Sequence, residues 1–147
     1  MDSTSLGLTS QIRQQFTFNA DDENLNTILR NISNRGVSFT AFTITKLKNN
    51  TNFVKIVVGP PESNSPEANR VVREVLRSQG VRFQEEKVIQ LRSFQTGVPG
   101  VLARIYDALF RFVKVKAIYA GELNSIILNV SDVEKALQLL RQNNIIR

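Results

Sequence analysis

Glycine and proline dominate the segment Phe94-Gln-Thr-Gly-Val-Pro-Gly-Val-Leu102, where a strand-like stretch gives way to a helical one. Glycines remove the side chains that keep a ligand off the main chain, and the first turn of the following helix offers N–H groups with no partner inside the helix. Such a loop suits a carboxylate or similar anion held through backbone donors, with no charged side chain required. The candidate binding residues are therefore Gln95, Thr96, Gly97, Val98, Pro99, Gly100, Val101 and Leu102. A purely architectural reading competes with this one. Gly97, Pro99 and Gly100 also suit a tight strand-to-helix turn with proline at the first helical position, and the sequence leaves both readings open.

The remaining chemistry-bearing groups point away from catalysis. The chain has no histidine and no cysteine, which excludes imidazole triads, thiol nucleophiles, disulfides and His/Cys zinc sites. Glu85 and Glu86 are adjacent on an expected strand, so their carboxylates point to opposite faces and cannot act as an acid/base pair. Asp21, Asp22 and Glu23 sit where a helix begins and read as capping groups that suit its positive end, in preference to metal ligands. Arg70, Arg73 and Arg77 line one helix face, which reads as solvated and locally paired to Glu74, with an acidic docking partner as the alternative. No catalytic residue, metal ligand or cofactor is assigned, and no enzyme activity is expected.

The elements that must position the Gly/Pro loop fall into two similar series. Phe16 and Phe18 alternate with Gln15 and Thr17 in a strand over 11–18. A helix over 22–34 follows, capped by Asn19 or Asp21, with Leu25, Ile28, Leu29 and Ile32 on its buried stripe. Strands over 37–47 and 52–58 then form a hairpin, and Ser65-Pro66 caps a helix that runs to Gln79 and buries Ala68, Val72, Val75 and Leu76. Residues 81–94 must supply the last strand of the first series and the first strand of the second.

The second helix series opens at Pro99, with Leu102, Ile105, Tyr106 and Leu109 as its apolar stripe. Val113, Val115 and Ala117 alternate with Lys114 and Lys116 in a strand whose apolar set faces the helices. A strand over 126–130 leads to Ser131-Asp-Val-Glu134, a capping box for a helix that buries Val133, Ala136, Leu137 and Leu140. Only 145–147 remain for a closing strand, which must be short or completed by another subunit. The order strand-helix-strand-strand-helix-strand thus occurs twice, and Phe18-Asn-Ala-Asp-Asp-Glu-Asn-Leu25 occupies the place of the Gly/Pro loop in the first copy.

Composition bounds the rest. At 147 residues, with 41% apolar and 22% charged, the chain folds, and it divides into a loosely ordered segment over 1–10, a first unit over 11–84 and a second over 85–147. No apolar run approaches the ~20 residues that span a bilayer, and the start lacks a signal-peptide pattern, so a cytoplasmic protein with no membrane partner is expected. The net charge of +6 raises nucleic acid as a partner, but the Lys and Arg are scattered and no basic block exists.

The second copy resembles the ACT domain, whose hallmark is a first strand leading into an Asp-x-Pro-Gly-x-Leu loop, then a helix, a hairpin and a second helix. Gly97, Pro99, Gly100 and Leu102 carry the match, and the acidic residue usual before the proline is absent. The two copies together are similar to a tandem ACT protein over roughly 11–147. The resemblance implies an α+β fold of two ferredoxin-like βαββαβ units, each an antiparallel sheet covered by helices on one face. It also implies a non-catalytic sensor that binds a small molecule, an amino acid, at the second copy's loop, forms a homodimer and modulates a protein partner. In the first copy the acidic loop would repel a carboxylate. Two alternatives stand beside this reading: a ligand-independent protein adaptor, and a basic ferredoxin-like module for RNA or DNA. The second is weakened by the strand over 52–58, which has a single Phe, and by its counterpart over 125–130, which has none.

Overall fold

The computed structural model describes residues 5–93 and 98–147. Gln95, Thr96 and Gly97 of the candidate loop, with Phe94, lie outside the described residues. The elements are β1 (Thr9–Ala20), α1 (Asp22–Asn34), β2 (Phe39–Lys46), β3 (Asn52–Val58), α2 (Pro66–Ser78), β4 (Phe83–Arg92), α3 (Val101–Leu109), β5 (Val115–Gly121), β6 (Ser125–Val130) and α4 (Val133–Gln142). The class is α+β. Among these residues no helix is long and apolar enough to cross a membrane.

Two compact units form, one of Arg13–Glu86 and one of Met1–Ile12 with Lys87–Arg147. In the 13–86 unit β3 lies between β1 and β2, antiparallel to both, with Phe16 opposite Ile56 and Phe18 opposite Val54. Those side chains share one face of the sheet with Leu25, Ile28 and Ile32 of α1 and Ala68, Val71, Val72, Val75 and Leu76 of α2 in a single buried cluster. Every residue that the periodicity assigned to the buried stripes of α1 and α2 lies in or against this cluster. Asp21 caps α1, accepting from the Asn24 N–H at 2.8 Å, and Ser65 caps α2 ahead of Pro66, accepting from Ala68 at 3.1 Å.

In the 87–147 unit β6 lies between β4 and β5. Its core joins Ile89, Leu91 and Leu128 to Val101, Ile105, Ala108 and Leu109 of α3 and Ala136, Leu137 and Leu140 of α4. The expected closing strand is completed within the chain. Ile146 bridges Leu8 in parallel, Leu8 N–H donates to the Ile145 carbonyl at 3.1 Å, and Arg147 N–H donates to the Leu8 carbonyl at 3.2 Å. Leu8, Ile145 and Ile146 are all buried in this core.

Four local expectations are corrected. The 81–94 stretch holds one continuous strand, β4, which serves the first unit with 83–86 and the second with 87–92, because no turn residue interrupts Phe83–Arg92. The strand after α3 does not keep strict alternation. A bulge between Val115 and Ala117 resets the phase, so Val115 and Ile118 face the core while Ala117 sits opposite Asn129 on the other face. Asp132, not Ser131, caps α4, accepting from Lys135 N–H at 3.1 Å, while the Ser131 hydroxyl accepts from Lys114 N–H. On α3 the buried stripe is Val101, Ile105, Ala108 and Leu109, and Leu102 and Tyr106 are about half exposed. That helix is apolar on more than one side, so periodicity alone does not orient it.

Candidate functional site

The described part of the Gly/Pro loop, 98–102, leads into α3. Gly100 is the N-cap of α3 with φ +89° and ψ −5°, left-handed backbone that a side chain adopts only with strain. Glycine offers no side chain to cap the helix: α1, α2 and α4 each have a side-chain oxygen on a first-turn N–H, whereas among the described residues α3 has none. A Cβ built on Gly100 would meet no atom of the described residues within 4 Å. Open first-turn donors at the positive end of a helix are the backbone arrangement that favours an anion.

The neighbouring candidates divide by burial. Val98, Pro99 and Gly100 are exposed, whereas the Val101 side chain enters the core and leaves only its backbone for a ligand. Leu102 is exposed at the head of a line that continues through Tyr106 and Phe110, whose rings stack with centroids 5.5 Å apart. The sequence reading missed this apolar flank, since it placed Leu102 and Tyr106 in the core.

In the 13–86 unit the turn that starts α1 is closed by its own carboxylates. Asp21 caps α1, and Asp22 accepts from Asn52 Nδ2 at 2.8 Å and from the Lys46 ammonium. The Asn52 hydrogen bond, followed by that from Lys46, holds the Asp22 carboxyl below its ordinary range. Asn52 Nδ2 also donates to the Ala20 carbonyl, which ties the start of α1 to β3. Among the described residues no group of three acidic side chains could hold a metal ion.

The arginine face of α2 is satisfied internally. Arg70 pairs with Glu67 and Glu74, Arg73 forms a two-pronged pair with Glu85 at 2.7 Å for each bond, and the Arg77 guanidinium lies 5.8 Å from the Phe83 ring centre. Glu86 points the other way and accepts from Gln15 Nε2 at 3.3 Å, so the two adjacent carboxylates do occupy opposite faces. Glu74 is held below the usual carboxylate range by Arg35 first and Arg70 second. A depressed carboxylate adds stability that is present above its unfolded pKa and lost as pH falls through the folded value. With no histidine to titrate near neutrality, the melting temperature is expected to stay level between about pH 6 and 8 and to fall below about pH 4.5 as Asp22 and Glu74 protonate. Thermal denaturation followed by circular dichroism across that range checks it.

No protein-family model and no curated protein sequence matches the chain. Solved structures do. Protein BT0572 from Bacteroides thetaiotaomicron is similar with a TM-score of 0.71 at 14% identity, over 92% of this chain and 91% of that one. The regulatory subunit of aspartate kinase from Thermus thermophilus, in its ligand-free form, is similar with a TM-score of 0.63 at 15% identity, over 95% and 97%. The fold is ACT-type. Aspartate kinase from Synechocystis is also similar, with a TM-score of 0.65 at 13% identity, over 97% of this chain and 27% of that chain. The ACT-type fold of the present chain therefore corresponds in extent to a regulatory subunit and to only part of a complete kinase.

Proposed function

We propose that this protein is a non-catalytic regulator built from two ACT-like units, and that it binds an amino acid at Gln95–Leu102 and modulates a protein partner. The observation that carries the reading is the start of α3, where among the described residues no side chain caps the helix and no atom lies within 4 Å of a Cβ built on Gly100. An amino acid's carboxylate is the anion that first-turn N–H donors suit. The similarity to a regulatory subunit of aspartate kinase supports a control role.

Duplication is supported by matching irregularities. β2 has its bulge between Phe39 and Ala41, and β5 has its bulge between Val115 and Ala117, each at the start of the second strand of its unit. Bulges are position-specific features, so their correspondence favours two copies of one design. The Leu102, Tyr106 and Phe110 flank favours a protein contact beside the ligand site, either with a second copy in a homodimer or with the regulated partner.

A thermal-shift series over the twenty amino acids tests the proposal. A ligand at about one hundred times its Kd adds about 2.7 kcal/mol to native-state stability, a shift of several degrees. One or a few amino acids are expected to produce it. Gly100→Val, which forces a β-branched residue into left-handed backbone, is expected to abolish the shift. A flat response to all twenty would remove the amino-acid reading.

A further inference from the structure

An open cavity of about 580 Å³ lies in the 13–86 unit, lined by Thr17, Phe18, Asn19, Phe53, Arg82, Phe83 and Gln84. We infer that it is a binding site for one nucleoside monophosphate. It is separate from the α3 loop, and the inference does not depend on that loop's role.

The strand register decides which side chains share the cavity. Thr17 stands opposite Lys55 and Asn19 opposite Phe53, while Phe16 and Phe18 point into the helix-covered core. Phe53 and Lys55 therefore lie on the face of the sheet away from α1 and α2, with the Lys55 ammonium 5.1 Å from the Phe53 ring centre. On β4, Phe83 packs against the core, which turns Gln84 to the same side of the sheet as Asn19. Arg82 is exposed at the start of that strand and forms no ion pair among the described residues.

Each of these groups matches one part of a nucleotide. A partly exposed aromatic ring stacks a base, and this contact tolerates any base because each has a π face. The amides of Asn19 and Gln84 each offer both a donor and an acceptor, as the edge of a nucleobase does. Arg82 supplies a planar cationic fork for phosphate, with Lys55 adding positive potential. The volume lies in the range of small-molecule sites. An amino acid fits less well, because no carboxylate lines the cavity to receive its ammonium. A long RNA strand also fits less well, because one outward aromatic provides a platform for one base.

Isothermal titration of the full chain with AMP, GMP, CMP and UMP at low salt tests the site. At least one is expected to bind with a Kd at or below about 1 mM. Phe53→Ala and Arg82→Gln are each expected to weaken it about ten-fold or more. Gln84→Glu is expected to weaken binding about ten-fold or more, by replacing the amide that meets the base edge with an acceptor-only carboxylate that also competes with the phosphate for Arg82, and its exposure lets that variant fold even where Phe53→Ala does not. Any amino-acid response is expected to survive Gln84→Glu, so the two sites fail independently. The inference is overturned by the absence of binding heat from every nucleotide at about 10 mM, or by binding that Arg82→Gln and Gln84→Glu leave unchanged. A ten-nucleotide RNA that binds more than about a hundred-fold tighter than any mononucleotide overturns it as well, in favour of a strand-binding surface.

Discussion

Replacing Arg13 by alanine is expected to lower the melting temperature by about 10 °C or more. Its side chain is fully buried, and one guanidinium nitrogen donates to the Val58 carbonyl at 2.9 Å, to the Pro60 carbonyl at 3.1 Å and to Thr40 Oγ1 at 3.4 Å. These contacts hold the chain as it leaves β3 through Gly59, whose φ of +100° strains any side chain there and where a Cβ would stand a tight 3.1 Å from Ser65 Cβ. Thr40 and Ser38 complete the hold by donating to the Gly59 carbonyl at 2.5 and 3.1 Å. Alanine would leave two carbonyls without their charged donor, at about 1–3 kcal/mol each, and open a void the length of an arginine. A loss of about 3–5 kcal/mol follows, measurable by urea denaturation. A loss below about 1 kcal/mol would show that the guanidinium does not hold this turn.

Removal of the last three residues is expected to have an effect of similar size by a different route. Ile145 and Ile146 are buried in the 87–147 core, and full burial of such a side chain contributes about 1.5–3 kcal/mol. The deletion also breaks the bonds that join Leu8 to Ile145 and Arg147, so Leu8 loses its place in the same core. The summed loss is about 4–6 kcal/mol, enough to unfold a marginal unit. Leu8→Asp provides the reciprocal test from the other end of the chain, since it buries an unpaired carboxylate at the same bridge. Both variants are expected to expose amides of β4 and β6 to hydrogen exchange while those of β3 stay protected. Equal loss of protection in β3 would show that the clasp does not act within its own unit.

The contrast between these two features and the helices shows where sequence reasoning reaches. Leu25, Ile28 and Ile32 or Ala68, Val72 and Val75 repeat at helical spacing on otherwise polar helices, so their buried face follows from period alone. Asp21 and Ser65-Pro66 mark helix starts because capping is a contact between near neighbours in the chain. On α3 the same method misplaced Leu102 and Tyr106, since apolar residues on several sides leave the rotation to be settled by packing. At the start of α4 two capping residues compete, and Asp132 prevails while Ser131 is drawn to the Lys114 N–H seventeen positions away.

What the chain determined by itself was the α+β class, the order of the elements apart from the single β4, and the α1 and α2 faces, whereas the helix expected to open at Pro99 starts at Val101 with Gly100 as its N-cap. The class, the order and the two faces rest on local geometry or on short periods. Tertiary structure alone decided that Leu8 meets Ile146, that Arg13 is buried against a turn 45 residues away, that bulges shift the phase of β2 and β5, and that Phe53, Asn19 and Arg82 line one cavity. Those outcomes depend on which distant backbone each segment pairs with. Pairing energy is shared among many strand registers, so no single residue announces it.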